Sequence, residues 1–346
     1  MKKAMILLLA MLLSFTLSGI ASPTAESAEY KEYRSADFTY PLDQSGNAEI
    51  TDYYGKDRDL RVPSEIDGHP VTSIGQWAFG SSWGSTNYPI LVSVTLPEGL
   101  QSIGDGAFDD CSELTSVTLP EGLQSLGGIA FRGCSSLTSV LLPDSLVSMS
   151  GNPFAGFSDL SLVHVSPDHP VFALVDGVLF NQADKILVAY PMTTKPGAYQ
   201  VPSGTRAIGN DAFGYWNGLT SIVLPEGLES IGDRAFFACR INTHLTLPEG
   251  LRSIGDSAFY ECVNLPSVTL PKSLESIGDS AFNFCRSLTS VVVPEGVKSV
   301  GFGAFGDCQN LTSVTLPASL VDMEWGAFWL DFETMSTNPA LVLTVP

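Results

Sequence analysis

The chain has 346 residues, of which only 16% are charged, with 32 Gly and 22 Pro. That composition favours many short strands and turns over long helices. A formal charge of −20 repels nucleic acid and anionic lipid, so it argues against DNA, RNA or membrane surfaces as partners and fits cationic ones better.

Residues 1–21 read as an export signal. Lys2 and Lys3 precede an apolar run from Ala4 to Leu17, and Gly19-Ile20-Ala21 offers small residues for cleavage after Ala21. The run is shorter than the ~18–20 apolar residues of a membrane span. Cleavage leaves a mature charge of about −22 and no further segment of spanning length. The Met-Lys-Lys start predicts a bacterial protein, exported to the medium or the cell surface.

Residues 22–61 are expected to form an N-terminal β cap, with strand-like pieces between Tyr40 and Arg61 around Gly46 and Gly55. Repetition then takes over. Leu-Pro or Val-Pro pairs open repeats at Leu96, Leu119, Leu142, Val201, Leu224, Leu247, Leu270, Val293 and Leu316, after a degenerate copy around Ile74 to Phe79. Every interval is 23 residues except Leu142 to Val201, which is 59. Leucines at fixed offsets in a period of this length mark a leucine-rich solenoid. In Leu114 to Leu119, Val117 and Leu119 alternate with Ser116 and Thr118, a short strand with one apolar face. Pro120 ends it, because proline cannot donate to the next ladder bond. No turn can bury its apolar groups alone, and stacked turns bury them as one core. The sequence therefore predicts a solenoid of short parallel strands, one per repeat, in two blocks, 62–166 and 201–330. Between them, 167–200 reads as a β-hairpin insertion. Val178 to Phe180 and Ile186 to Val188 are its arms, and Asn181 to Asp184 its turn. Residues 331–346 end the array with a cap strand at Leu341 to Leu343.

The stretches VTLPEGLQSIGDGAFDDC and LTSVTLPASL resemble the BspA-like leucine-rich repeats, also called the Treponema pallidum type. VPSEIDGHPVTSIGQWAF from Val62 and VDGVLFNQADKILVAYP from Val175 resemble that family outside its repeats. The resemblance covers about residues 37 to 330. It implies a surface protein that adheres to host matrix proteins, host cells or other microbes.

One phenylalanine recurs from Phe79 to Phe328 at the twelfth residue after each repeat start and is expected to form a buried spine. Cys111, Cys134, Cys239, Cys262, Cys285 and Cys308 stand at the fifteenth, where Phe157 and Trp216 also occur. A position that accepts Cys, Phe or Trp is an apolar filler, so the cysteines are expected to be a reduced structural ladder. The even count and export favour disulfides. The ~4.8 Å rung spacing is wider than the usual Cβ separation of a disulfide, and a straight row does not converge on a metal. His164 and His169 approach each other in sequence, a weak hint of a metal. No HExxH, GxSxG, P-loop or CxxC occurs, so no catalytic residue, metal or cofactor is assigned.

Two acidic rows recur. Glu98, Glu121, Asp144, Glu226, Glu249 and Glu295 follow the repeat start by two residues, and Asp105, Asp233, Asp256 and Asp279 lie in the IGD phrase. Both read first as solvated rims and second as contacts for a cation or basic ligand. The outward strand positions, such as Ser116, Thr118, Ser267 and Thr269, form a bland hydroxyl face. Variation concentrates beside the spine, where Tyr215, Phe237, Tyr260, Phe284, Phe302, Trp325 and Trp329 replace Asp109, Arg132 and Ala155 of the first block. These aromatics are the candidate ligand-contact surface, with partial burial as padding the competing reading. The expected function is a non-enzymatic scaffold binding an extracellular protein or a glycan. The rival is an envelope-associated structural protein without a specific ligand.

Overall fold

The computed structural model describes residues 31–80, 90–157, 163–191, 197–324, 326–331 and 336–345. The expected signal segment lies outside the described residues. No helix occurs among those described, and the elements are short strands stacked into a parallel solenoid.

Each turn contributes two strands, not the one expected. The first is the SVT strand, for example Ser93–Thr95, which pairs in parallel with Ser116–Thr118 in strict 23-residue register. The second covers only two residues of the S-I-G phrase, as in Ser230–Ile231, Ser253–Ile254 and Ser276–Ile277. These also stack in parallel and in register. The glycine after each is there for close approach. A Cβ on Gly255 would fall 2.7 Å from the backbone nitrogen of Asp233 on the preceding turn.

Both ladders are closed at the N-terminal end by non-repeat strands. Ala48–Ile50 pairs in parallel with His69–Ile74, and Asp59–Arg61 with Ser93–Thr95. At the other end Val342–Thr344 pairs in parallel with Ser313–Thr315.

The phenylalanine spine runs through the middle. Phe236, Phe259 and Phe282 are fully buried and stack at 5.0 Å with interplanar angles of 9° and 6°. The insertion is a three-strand meander and not a single hairpin. Phe172–Val175 pairs antiparallel with Val178–Asn181 across Asp176-Gly177, both left-handed, and Val178–Asn181 pairs antiparallel with Ile186–Ala189. A left-handed pair at a two-residue loop is the turn that matches strand twist. Ile186–Ala189 then pairs in parallel with Ala207–Ile208, so the insertion supplies a rung of the second block's ladder. Tyr190 stacks on Phe213 at 5.1 Å. The meander contributes Leu179 and Val188 to one core and Phe180 and Leu187 to the other, joining the two blocks.

Candidate functional site

Most turns pass the spine phenylalanine through two left-handed corners, as with Ser257 and Glu261 on either side of Phe259. The second falls fourteen residues after the repeat start and is occupied by Asp110, Gly133, Gly156, Tyr215, Ala238, Glu261, Phe284 and Asp307. Left-handed backbone costs an ordinary residue roughly 1–2 kcal/mol and glycine almost nothing. Glycine, alanine and acidic residues all serve at this corner, so the corner itself requires no aromatic residue at Tyr215 or Phe284.

The corner residues and their neighbours at the thirteenth position form a row. Tyr215 and Phe237 lie 5.0 Å apart, Phe237 and Tyr260 stack at 4.9 Å and 6°, and Tyr260 and Phe284 meet at 5.3 Å and 60°. All four are half-buried. Guanidinium groups lie against three of them, Arg132 on Tyr215 at 5.7 Å, Arg234 on Phe237 at 5.6 Å and Arg286 on Phe284 at 5.4 Å. Neighbouring rings and guanidiniums thus occupy much of the ring faces. The structure brings these four of the seven expected aromatics into one ridge. Phe302 and Trp329, also half-buried, form an edge-to-face pair at 6.2 Å toward the C-terminal end. Trp325 lies outside the described residues.

One residue beyond these corners run the six cysteines, Cys111 and Cys134 in the first block and the other four in the second, all free and buried. Each thiol donates to the carbonyl of the spine phenylalanine one turn earlier, as in Cys239 to Phe213 at 3.2 Å, Cys262 to Phe236 at 3.2 Å and Cys285 to Phe259 at 3.3 Å. Burial pushes the thiols of Cys111, Cys262 and Cys308 up to about 12. A thiol so held is a poor nucleophile, because the reactive species is the thiolate.

Beside the ridge runs the IGD column. Oδ1 of Asp233, Asp256 and Asp279 accepts the backbone N–H of Asp256, Asp279 and Phe302 on the following turn, at 2.7–2.8 Å. These carboxylates, first read as a solvated rim, therefore satisfy backbone donors between turns. Asn210 makes the same bond to the Asp233 N–H at 2.8 Å. In the other row, Glu295 accepts the N–H groups of Ala318 and Ser319, which hold its carboxyl below the usual range.

The family profile described as BspA type leucine rich repeat region matches six copies over residues 86–172 and 206–331. The chain belongs to the BspA-type leucine-rich repeat family. A leucine-rich repeat protein of Eubacterium ventriosum is similar in structure, with TM-score 0.57 and 23% identity over 86% of this chain and 93% of that one. A leucine-rich cell surface protein of Faecalibacterium prausnitzii aligns with TM-score 0.45 and 21% identity over 91% and 94%. The leucine-rich repeat protein of T. pallidum aligns with TM-score 0.32 and 27% identity over 75% and 91%. No curated protein matches the sequence.

Membership of the BspA-type family gives the chain a repeat-based binding or scaffold role. No helix among the described residues is long and apolar enough to cross a membrane, and no group of three or more His, Cys, Asp or Glu there is arranged to hold a metal. His169 is a clip for the meander. Its Nδ1 accepts the N–H of Val171 and Phe172, and its Nε2 lies 3.1 Å from the Pro143 carbonyl, so the neutral ring carries its proton on Nε2. His164 is exposed. His244 meets the hydroxyls of Ser267 at 2.7 Å and Thr269 at 3.0 Å on the next strand.

Sequence reasoning missed the polar clamp where this BspA-type array is interrupted. Arg132 grips the buried carboxylate of Asp109 with two bonds, at 2.6 and 2.7 Å, and donates to the Tyr215 hydroxyl at 3.0 Å across 83 residues of sequence. Asp109 is thus a buried anchor. The hydrogen bonds to Asp109 hold the Arg132 guanidinium charged. Nearby, Asp211 is ion-paired with Arg234 at 3.0 Å, yet burial pushes its carboxyl up to about 6. The backbone of Asn152 also reaches Asn210 at 2.9 Å, so the corners of the two blocks touch directly.

Proposed function

We propose that this is an exported, non-enzymatic bacterial surface protein that binds an extracellular protein through the aromatic ridge of Tyr215, Phe237, Tyr260 and Phe284, together with Phe302 and Trp329. One observation carries the reading. Phe284 occupies a left-handed corner where glycine or an acid serves the fold elsewhere, and its ring remains half-exposed. Strain kept without structural need points to selection for contact. Aromatic residues are also the usual anchors of protein interfaces. The family's adhesive members support attachment to host matrix proteins, host cells or other microbes.

A protein partner is favoured over a glycan by ring orientation. Sugars stack on open aromatic faces, but Phe237 is stacked on Tyr260 and covered by Arg234. The mature chain is tested against a panel of matrix proteins and cell-wall glycans by surface binding. Saturable binding to a protein is the expected result. Binding to glycans alone, or to nothing on a broad panel, rejects the proposal.

A further inference from the structure

The flank of the aromatic ridge carries more charge than the fold uses. Asp233, Asp256 and Asp279 stand on successive turns, each exposed, and each needs only Oδ1 to cap the next turn. Asn210 does the same work at the head of the column without a charge. The carboxylates are therefore surplus to the capping bond, and neighbouring like charges on stacked turns repel. Between this column and the ridge sit two small residues, Ser257 and Ser280, at the left-handed corner where Arg234 stands one turn earlier. The ridge feels further acids from its other side. Glu261 is exposed and Asp307 half-buried, and both add to the rise of the Tyr260 hydroxyl, after burial as the leading cause.

The arginines do not cancel this field evenly. Arg132 and Arg234 are tied to Asp109 and Asp211 at the Tyr215 end. At the Phe284 end Arg286 approaches Asp307 only to 3.8 Å and lies over the Phe284 ring. Ridge and column thus form apolar, half-exposed rings edged by Asp256, Asp279 and Glu261. Such a surface is complementary to long basic side chains, whose methylene stems lie on apolar rings while the charged heads reach carboxylates. Stacked ring faces leave little room for a sugar, and the acidic flank repels nucleic acid and sulfated glycans.

We propose that the ridge accepts a basic polypeptide segment, with lysine or arginine stems along the exposed edges of Tyr260 and Phe284 and their charges at Asp256, Asp279 and Glu261. This deepens the reading of the ridge as the contact surface and rests on it. Ridge rings recur at 4.9–5.3 Å from Tyr215 to Phe284. An extended peptide presents same-side residues every ~7 Å, so it does not match the rings one for one, but a basic stretch of about five residues spans the whole ridge.

The test uses the mature chain, a fluorescent lysine-rich peptide and a glutamate-rich peptide of equal length, at physiological ionic strength. Asp256→Asn with Asp279→Asn removes the charges and keeps the capping acceptor, as Asn210 shows. Glu98→Gln with Glu121→Gln removes two exposed acids from the first block as a control for net charge. Expected is saturable binding of the lysine-rich peptide only, weakened at least fivefold by the aspartate pair and less than twofold by the control. Equal loss in the two variants, or none in the aspartate pair, overturns the inference. Tyr260→Ala with Phe284→Ala separates the two readings. If this variant loses matrix-protein binding while the aspartate pair does not, the ridge is the contact surface and its partner is not basic. If neither variant changes binding of any partner, both readings fail.

Discussion

Phe259 and Phe284 stand on neighbouring turns, and the account assigns them opposite roles, so substituting each should give very different costs. Phe259 is fully buried and stacked at 5.0 Å on both Phe236 and Phe282. Phe259→Ala should cost about 3–5 kcal/mol, the usual range for emptying a packed aromatic site. Phe284 is half-buried and left-handed. Phe284→Asn loses about half of the ~1.5–3 kcal/mol of a buried side chain and a cation–π contact of under ~1 kcal/mol. It regains part of the roughly 1–2 kcal/mol of left-handed strain, because asparagine tolerates that conformation. The net cost should be about 0–1 kcal/mol. Urea unfolding followed by far-UV circular dichroism, with both variants fitted at the wild-type m-value, measures it. A Phe284→Asn cost equal to that of Phe259→Ala would refute the reasoning and make the ridge structural padding.

Thiol titration of the folded chain should find almost no reactive cysteine at pH 8, since all six are buried and three are pushed up to about 12; six should react after non-reducing denaturation, and none would mean disulfides. Arg132→Ala should cost about 3–5 kcal/mol by stranding the Asp109 carboxylate, whose side chain is 1% exposed, and a melting temperature within 2 °C of wild type would contradict the clamp. Asp211 binds its proton more tightly in the folded state, with its carboxyl raised from 3.8 to about 6 by burial. Its stabilising contribution is present below the unfolded value and is lost as pH rises through about 6. Wild type should therefore lose stability relative to Asp211→Asn between pH 4 and pH 7, and a difference constant across that range would remove Asp211 as the cause.

The solenoid was legible because its period is in the sequence. Val117 inward with Ser116 and Thr118 outward defines one strand, and the 23-residue spacing defines its register. The second strand was not legible, because Ser253–Ile254 is two residues long and owes its existence to pairing with Ser230–Ile231 and Ser276–Ile277. The first arm of the meander carried one usable signal, Asp176-Gly177, a pair suited to a tight two-residue loop. The role of Asp256 was hidden for a different reason. Its carboxylate accepts from the backbone N–H of a residue 23 positions on, and a backbone donor that nearly every residue type carries leaves no mark in the sequence. The Asp109–Arg132–Tyr215 clamp joins residues on either side of the insertion, so only the folded chain places them together. For the aromatics, sequence supplied candidates and the fold sorted them into a ridge of four and a separate pair.

The central claim is that the ridge, and not the array as a whole, makes the contact. The most direct measurement is the affinity of the mature chain for its best protein partner from the matrix panel, compared with Tyr260→Ala, Phe284→Ala and Trp329→Ala combined. Far-UV circular dichroism confirms that the variant is folded. The account predicts a loss of tenfold or more in Kd with the fold intact. An unchanged Kd in a folded variant would contradict it.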